Sequence, residues 1–254
     1  MDPLATTYAL NLLYQLVVLA LAGLGLAIVF GLLGVMNMAH GEFMMLGAYS
    51  MVVVQRAGAP LWLGIPLAIA VCAVVGLAVE RWLIRPIAAR PFDTLLATWG
   101  LSILMRKAVE AWFGRGYQSI EHGLAGTLLV FDTPYPGYRL ALMGGVLLAL
   151  LALALWYRRS PTGARVQAMV NNPALAEAVG IDTRRIAAFA FVIGVCCAGL
   201  AGALLAPLSR IEPGMGLDSL LSSFFVLVVG GLGSLAGMLV GASNAPARPA
   251  QQTP

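Results

Sequence analysis

Residues 37–49, NMAHGEFMMLGAY, decide how this chain is read. The run from Leu12 to Met36 before them carries no charged residue and is long enough to cross a bilayer; after them the chain is apolar again until Arg56. Asn37, His40 and Glu42 therefore lie at or inside hydrocarbon depth, where an ionisable group is costly and by default marks a functional position. Two readings are open: a short polar elbow between membrane helices, or a helix that enters a central pathway and carries polar groups toward it. On a helix His40, Met44 and Ala48 stack at steps of four, while Glu42 and Tyr49 take a neighbouring face. Gly41 and Gly47 thin the helix where another backbone must approach.

Composition bounds the class around that stretch. Of 254 residues 60% are hydrophobic and 10% charged, with mean hydropathy +0.89, whereas soluble domains are roughly 25% charged. An all-α, polytopic helical membrane protein of about seven membrane segments, some of them broken, fits. The net charge of +4 comes from basic residues scattered between apolar spans, which a bilayer explains better than nucleic acid. Cys72, Cys196 and Cys197 all fall in apolar runs without metal spacing, and His40 and His122 have no cysteine near them, so neither a disulfide framework nor a metal site is expected. The opening MDPLATTY lacks a basic region, which argues against a cleaved signal peptide.

In chain order, the first span covers about Tyr8 to Gly34 and the second Asn37 to Val54. RAGAP (56–60) makes a tight turn, with Pro60 opening a third span from Leu61 to about Val79. ERWLIRPIAARP follows, with Arg81, Arg85 and Arg90 and with Pro86 and Pro91 breaking the helix. A fourth span runs from Asp93, with Asp93 or Thr94 as its cap, to about Phe113. Thr98, Trp99 and Ser102 form a polar and aromatic strip within it, and Arg106, Lys107 and Glu110 lie beyond. That charged cluster reads either as a helix end that snorkels to the interface or as a solute-attracting vestibule. Residues 114–138 form an external loop with a hairpin in IEHGLAGTLLVF (120–131). Spans at Arg139–Trp156 and about Ala187–Ala206 enclose an amphiphilic segment, and Arg210–Asp218 is an outer turn. Leu220–Val229 re-enters the membrane and is interrupted by GGLGSLAG (230–237). Eight of the fifteen basic residues fall in the connections at 80–90 and 158–185, which are therefore expected in the cytoplasm, with the amino terminus outside.

The cytoplasmic segment PTGARVQAMVNNPALAEAVGIDTRRI contains a short helix, with Asn171 and Asn172 before it, Asn172 capping, and Pro173 at its first position. Ala174, Ala176, Ala178 and Val179 give it a smooth surface of small side chains, and Gly180 with Ile181 ends it. From composition it is equally an interfacial helix lying on lipid or a stiff helix that enters a groove on a soluble partner.

NMAHGEFMMLGAY resembles the signature of the membrane permease subunits of bacterial ABC importers of the branched-chain amino acid type. FDTLLATWGLSIL (92–104) looks most like the urea and short-chain amide branch, while AGLAGALLAP (198–207) and SSFFVLVVGGLGSLAG (222–237) resemble the later helices and their glycine turn at Gly230, Gly231, Gly233 and Gly237. The likeness spans nearly all of residues 8–242. It implies a single permease domain over residues 1–242, in the cell inner membrane, with solute contacts from Asn37, His40, Gly41, Glu42, Tyr49, Thr98, Trp99 and Ser102. It also implies that Asn171, Asn172, Pro173, Ala174, Ala176, Gly180 and Ile181 couple the chain to an ATPase. The implied partners are a second homologous permease subunit, forming a heterodimer, two ATP-binding subunits and an extracytoplasmic solute-binding protein, with no cofactor and no nucleic acid.

The likeness breaks at the end, where the family continues with another full membrane helix. MLVGA supplies about 7 to 8 Å against the roughly 30 Å of hydrocarbon. The resemblance thus implies a truncated chain or a change of frame near Gly241, and SNAPARPAQQTP (243–254) is expected to be disordered. The solute expected is a branched-chain amino acid or a related small polar molecule, with urea or a short amide as the alternative and an ion-coupled secondary transporter as the nearer rival. No GxxxxGK[ST] loop is present, so ATP hydrolysis is expected on a separate subunit and the chain is not an enzyme.

Overall fold

The computed structural model describes residues 3–33, 37–88, 90–120, 126–130 and 133–230. His122, Gly231, Gly233, Gly237, the proposed start of a last helix and the expected tail lie outside these residues.

Helix α1 spans Pro3–Leu33, long enough to cross hydrocarbon at a tilt. Helix α2 (His40–Arg56) does not start at the end of α1. His40 Nε2 lies 3.3 Å from the carbonyl of Ala22, in the middle of α1, so α2 opens at mid-depth. Asn37 makes the turn: its Oδ1 accepts from Ala39 N at 3.0 Å and its carbonyl from His40 N at 3.2 Å. A non-helical entry at this depth is tolerated because protein surrounds its backbone groups. Asn37 thus forms a polar turn between the two helices, whereas His40 and Glu42 belong to the first turn of a continuous helix.

After a turn at Gly58, whose φ of +66° suits glycine, α3 (Gly64–Val79) returns antiparallel to α2. Helix α9 (Thr183–Leu205) runs through the centre and packs against α1, α2 and α3. A side chain on Gly47 would collide with the backbone of Gly199, so the α2–α9 crossing requires glycine on α2. Cys72 Sγ donates to the Phe43 carbonyl at 3.5 Å, and Phe43 and Phe191 meet edge to face at 6.4 Å. The cysteines are free, as expected of small hydrophobes in apolar runs.

The bundle has two distinct ends. At one, Arg56 donates to Gln118 (3.1 Å), Gln118 and Ile211 exchange backbone bonds, and Asn11 accepts from both Tyr135 and Arg139 at 3.1 Å. At the other, α7 (Pro161–Asn171) follows α6 (Gly137–Arg159) and packs Val166 and Met169 against Ile186 at the start of α9. Because Gly76 faces Val195 and Cys72 faces Gly199, α3 is antiparallel to α9. Its arginine-rich end therefore lies beside the start of α9, and the two arginine-rich connections share one end of the molecule.

Several boundaries differ from those expected. The third span does not stop at Val79: a wide π-helical turn (Glu80–Ile84) carries it into α4 (Arg85–Ile87). Pro86 lacks an N–H and would clash with the carbonyl four residues back, and the widened turn just before it relieves that conflict without ending the helix. Helix α5 (Pro91–Phe113) starts two residues before Asp93. Thr94 is not its cap; its hydroxyl donates back to the carbonyls of Ile87 and Arg90, both at 3.0 Å. The hairpin lies later than 120–131, pairing β1 (Thr127–Val130) with β2 (Thr133–Pro136). A two-stranded ribbon leaves one side of each strand unpaired, which accommodates Pro134 and Pro136. Among the described residues four helices are long and apolar enough to span a membrane: Leu4–Phe30, Leu61–Ile87, Gly137–Arg159 and Thr183–Leu208. The chain is an all-α, multi-pass helical membrane protein with this one small ribbon.

Candidate functional site: a polar seam between α2 and α5

Helix α5 is built inside out. Its buried residues are Thr94, Thr98, Ser102, Met105 and Val109, a single stripe at helical spacing whose first three members are hydroxylic. Phe92, Leu96, Leu104 and Trp112 are exposed. This arrangement suits a helix that faces lipid on one side and a polar interior on the other.

The hydroxyl stripe meets the first turns of α2 in register. Met38 N donates to Thr98 Oγ1 at 3.2 Å. Ser102 Oγ donates to Glu42 Oε1 at 2.9 Å, and Arg106 Nη2 donates to the same oxygen at 3.1 Å and to Ser102 Oγ at 3.3 Å. Further out, Tyr49 meets Phe113 at a tilt of 53° with ring centroids 4.7 Å apart, and the Arg56 guanidinium lies over the same ring. The two helices therefore run side by side in the same direction from residue 38 to residue 56.

Glu42 is 1% exposed, and its Oε2 has no partner among the described residues. That oxygen points at Gly216 on α10 (Met215–Gly230), where a Cβ would come within 2.7 Å of it. A side chain on Gly41 would strike the Gly216 carbonyl, so α10 seats directly on the first turn of α2. Asn37 Nδ2, His40 Nδ1 and the Tyr49 hydroxyl are also buried without partners. Buried polar atoms are nearly always satisfied, and these orphans, set along α2 and its entry turn, need an explanation.

Of the residues singled out in the sequence, Glu42, Thr98 and Ser102 converge on this seam, with Tyr49 at its outer end, while Asn37 bonds locally and shapes the turn before α2. His40 shares α2 but turns to α1, and Gly41 serves the contact with α10. Trp99 is 54% exposed and lies on the outer side of α5, away from the others. Arg106, which the sequence groups with Lys107 and Glu110 as a snorkelling helix end or a solute-attracting vestibule, parts from that cluster and reaches Glu42 across the helix interface. The available signal was its spacing, four residues beyond Ser102 and eight beyond Thr98, which puts all three on one face.

Metal-binding clusters of three or more His, Cys, Asp or Glu are absent among the described residues. Glu110 pairs with Lys107 and Arg115 rather than approaching His40, so His40 and Glu110 form no acid–base constellation.

At the other end, α8 (Pro173–Ala178) forms as its sequence suggests. Asn172 Oδ1 accepts from Leu175 N at 3.0 Å, Pro173 takes the first position, and Gly180 ends the turn with φ +84°. Thr183 Oγ1 donates to Glu177 Oε1 at 2.6 Å, tying α8 to α9. Ala176 does not lie on the free surface: it is 2% exposed, while Leu175 and Val179 are exposed.

The family model described as "Branched-chain amino acid transport system / permease component" matches residues 8–243. The chain is 29% identical over 238 residues to the high-affinity branched-chain amino acid transport system permease protein LivH of Escherichia coli (strain K12), covering 87% of this chain and 77% of that protein. It is 28% identical over 238 residues to the corresponding protein BraD of Pseudomonas aeruginosa, with 87% and 78% covered. A probable branched-chain amino acid transport permease protein LivH of Methanocaldococcus jannaschii is 28% identical over 236 residues, with 88% and 73% covered. No solved structure matches. None of these three relatives is named for urea or an amide, so the likeness of residues 92–104 to that branch gains no support. The chain belongs to the family of permease components of branched-chain amino acid transport systems, and it is a transport subunit rather than an enzyme.

Proposed function

We propose that this chain lines the route of a branched-chain amino acid, or a closely related zwitterion, through an ATP-driven importer of the inner membrane. The observation that carries the proposal is the seam of Glu42, Thr98 and Ser102, with the buried Asn37 at the turn beside it, a set of polar groups held inside an otherwise apolar bundle. A few fixed polar groups in an apolar wall suit a small polar solute with a hydrocarbon tail. Helices α2, α5 and α10 supplement the four long apolar spans to give about seven membrane segments. The amino terminus is external, and the arginine-rich connections face the cytoplasm.

The chain acts with a second, homologous permease subunit, two ATP-binding subunits and an extracytoplasmic solute-binding protein. Helix α8 and its flanks, Asn171 to Ile181, receive the ATPase. Its free surface is formed by Ala174, Leu175, Ala178 and Val179, while Ala176 anchors it.

The test is uptake into proteoliposomes that hold the complete importer. Radiolabelled leucine should accumulate in an ATP-dependent manner, and Thr98→Ala should lower the rate without lowering membrane insertion. Accumulation of urea in place of leucine would move the chain to the amide branch. Leucine uptake driven by an ion gradient without ATP would make it a secondary transporter.

A further inference from the structure

Three cations lie in or just beyond the outer half of α5, and they are not equivalent. Glu110 takes both Lys107 (2.5 Å) and Arg115 (2.6 Å), all three outside the seam. Arg106 instead turns inward to Glu42. Its position is about 10 Å below the outer end of the helix, from seven residues at 1.5 Å each, where an unmatched cation is expensive.

The pairing is incomplete. A guanidinium offers five N–H donors in a planar fork, and among the described residues only Nη2 is engaged, with Glu42 and Ser102. Nε is buried without a partner, yet the side chain as a whole is 29% exposed, against 1% for its partner. Arg106 is thus fixed on one side by a buried carboxylate and open on the other, at the edge of the α2–α5 seam. With Nε enclosed and Nη2 taken, the Nη1 end remains to donate to a carboxylate, and charge-assisted bonds of that kind are roughly twice as strong as neutral ones. Urea or an amide would offer it only a neutral carbonyl.

We propose that Arg106 is the specificity-determining residue that receives the carboxylate of the solute, and that Glu42 and Ser102 hold its guanidinium in position. This rests on the transport reading above but goes further, since it assigns the carboxylate, rather than the amine or the hydrocarbon tail, to one side chain.

The test labels arginine with phenylglyoxal in the assembled importer and reads Arg106 by peptide mass spectrometry, with the exposed Arg115 as internal reference. Millimolar leucine and isovalerate, which share a carboxylate, should each slow modification of Arg106 several-fold and leave Arg115 unchanged. Isoamylamine and urea, which lack a carboxylate, should protect neither. Equal protection by isoamylamine, or protection by none of the four, would overturn the assignment. In uptake, Arg106→Gln should raise the half-saturating leucine concentration by roughly tenfold or more, with Arg106→Lys between it and the native chain. An unchanged half-saturating concentration in an inserted Arg106→Gln chain would also overturn it. If the native importer takes up no leucine, the transport reading fails, while isovalerate protection still decides whether Arg106 receives a carboxylate.

Discussion

Glu42 accepts two donors from α5 on one oxygen and presents the other to a glycine. Breaking a buried ion pair by removing one member costs about 3–5 kcal/mol, because the survivor is left uncompensated. Glu42→Ala should therefore lower the denaturation midpoint in a detergent titration, and adding Arg106→Ala should recover part of the loss. Strict additivity of the two would mean that the pair is not coupled. Glycines offer a second test. Gly47→Ala meets immovable backbone and should destabilise by about 1–3 kcal/mol, while Gly100→Ala enters open space and should be neutral or gain up to about 1 kcal/mol from helix propensity. Thermal melts of the two variants check the contrast. Glu42, Thr98 and Ser102, which the structure brings together, stand out in the sequence because polar atoms are rare in an apolar run. Arg106 does not, because a cation near a helix end has an ordinary explanation and only the partner helix removes it.

Elements were legible to the degree that their signals are local. Asn172, Pro173 and Gly180 specify a cap, a first turn and a stop, and α8 has all three. Which face of α8 is free depends on α7 and α9, and so Ala176 was misassigned to the exposed surface. The consequence is experimental. Tryptophan at Ala176 should disrupt the packing beneath α8 and lower the yield of folded permease. Tryptophan at Ala174 should leave the yield intact but weaken co-purification with the ATP-binding subunits. Retained co-purification and retained coupling in Ala174→Trp would return α8 to an interfacial role. The continuation of α3 through Pro86 was hidden for a similar reason: a π-helical turn lets a proline sit in a long helix, and no single residue announces it.

Across the whole molecule, the charge bias and the geometry agree on which connections share an end. A cysteine placed at Ala88 should stay unlabelled by an impermeant reagent applied outside sealed cells, while one placed at Gly116 should react. Labelling at Ala88 from outside would invert the topology. The overall class was readable from composition because a chain this apolar has few soluble solutions. The mid-depth start of α2 was not, since it depends on where α1 passes His40.

The inverted amphipathicity of α5 also bears on biogenesis. A translocon sorts each segment by its own hydrophobicity as it leaves the ribosome, and arginine, lysine or aspartate at a helix centre opposes insertion by about 2.5–3.5 kcal/mol each. Helix α5 carries Asp93, Arg106, Lys107 and Glu110 and is not among the strongly apolar spans. Glu42 has already been synthesised when α5 emerges, so the earlier helices can offer a counter-charge to a segment that would otherwise be released to the aqueous side. In a glycosylation-mapping assay, residues 91–113 alone should insert poorly and the same residues after 3–90 should insert well, with Glu42→Ala reducing that gain. Equal insertion with and without the upstream helices would mean that α5 enters the bilayer unaided.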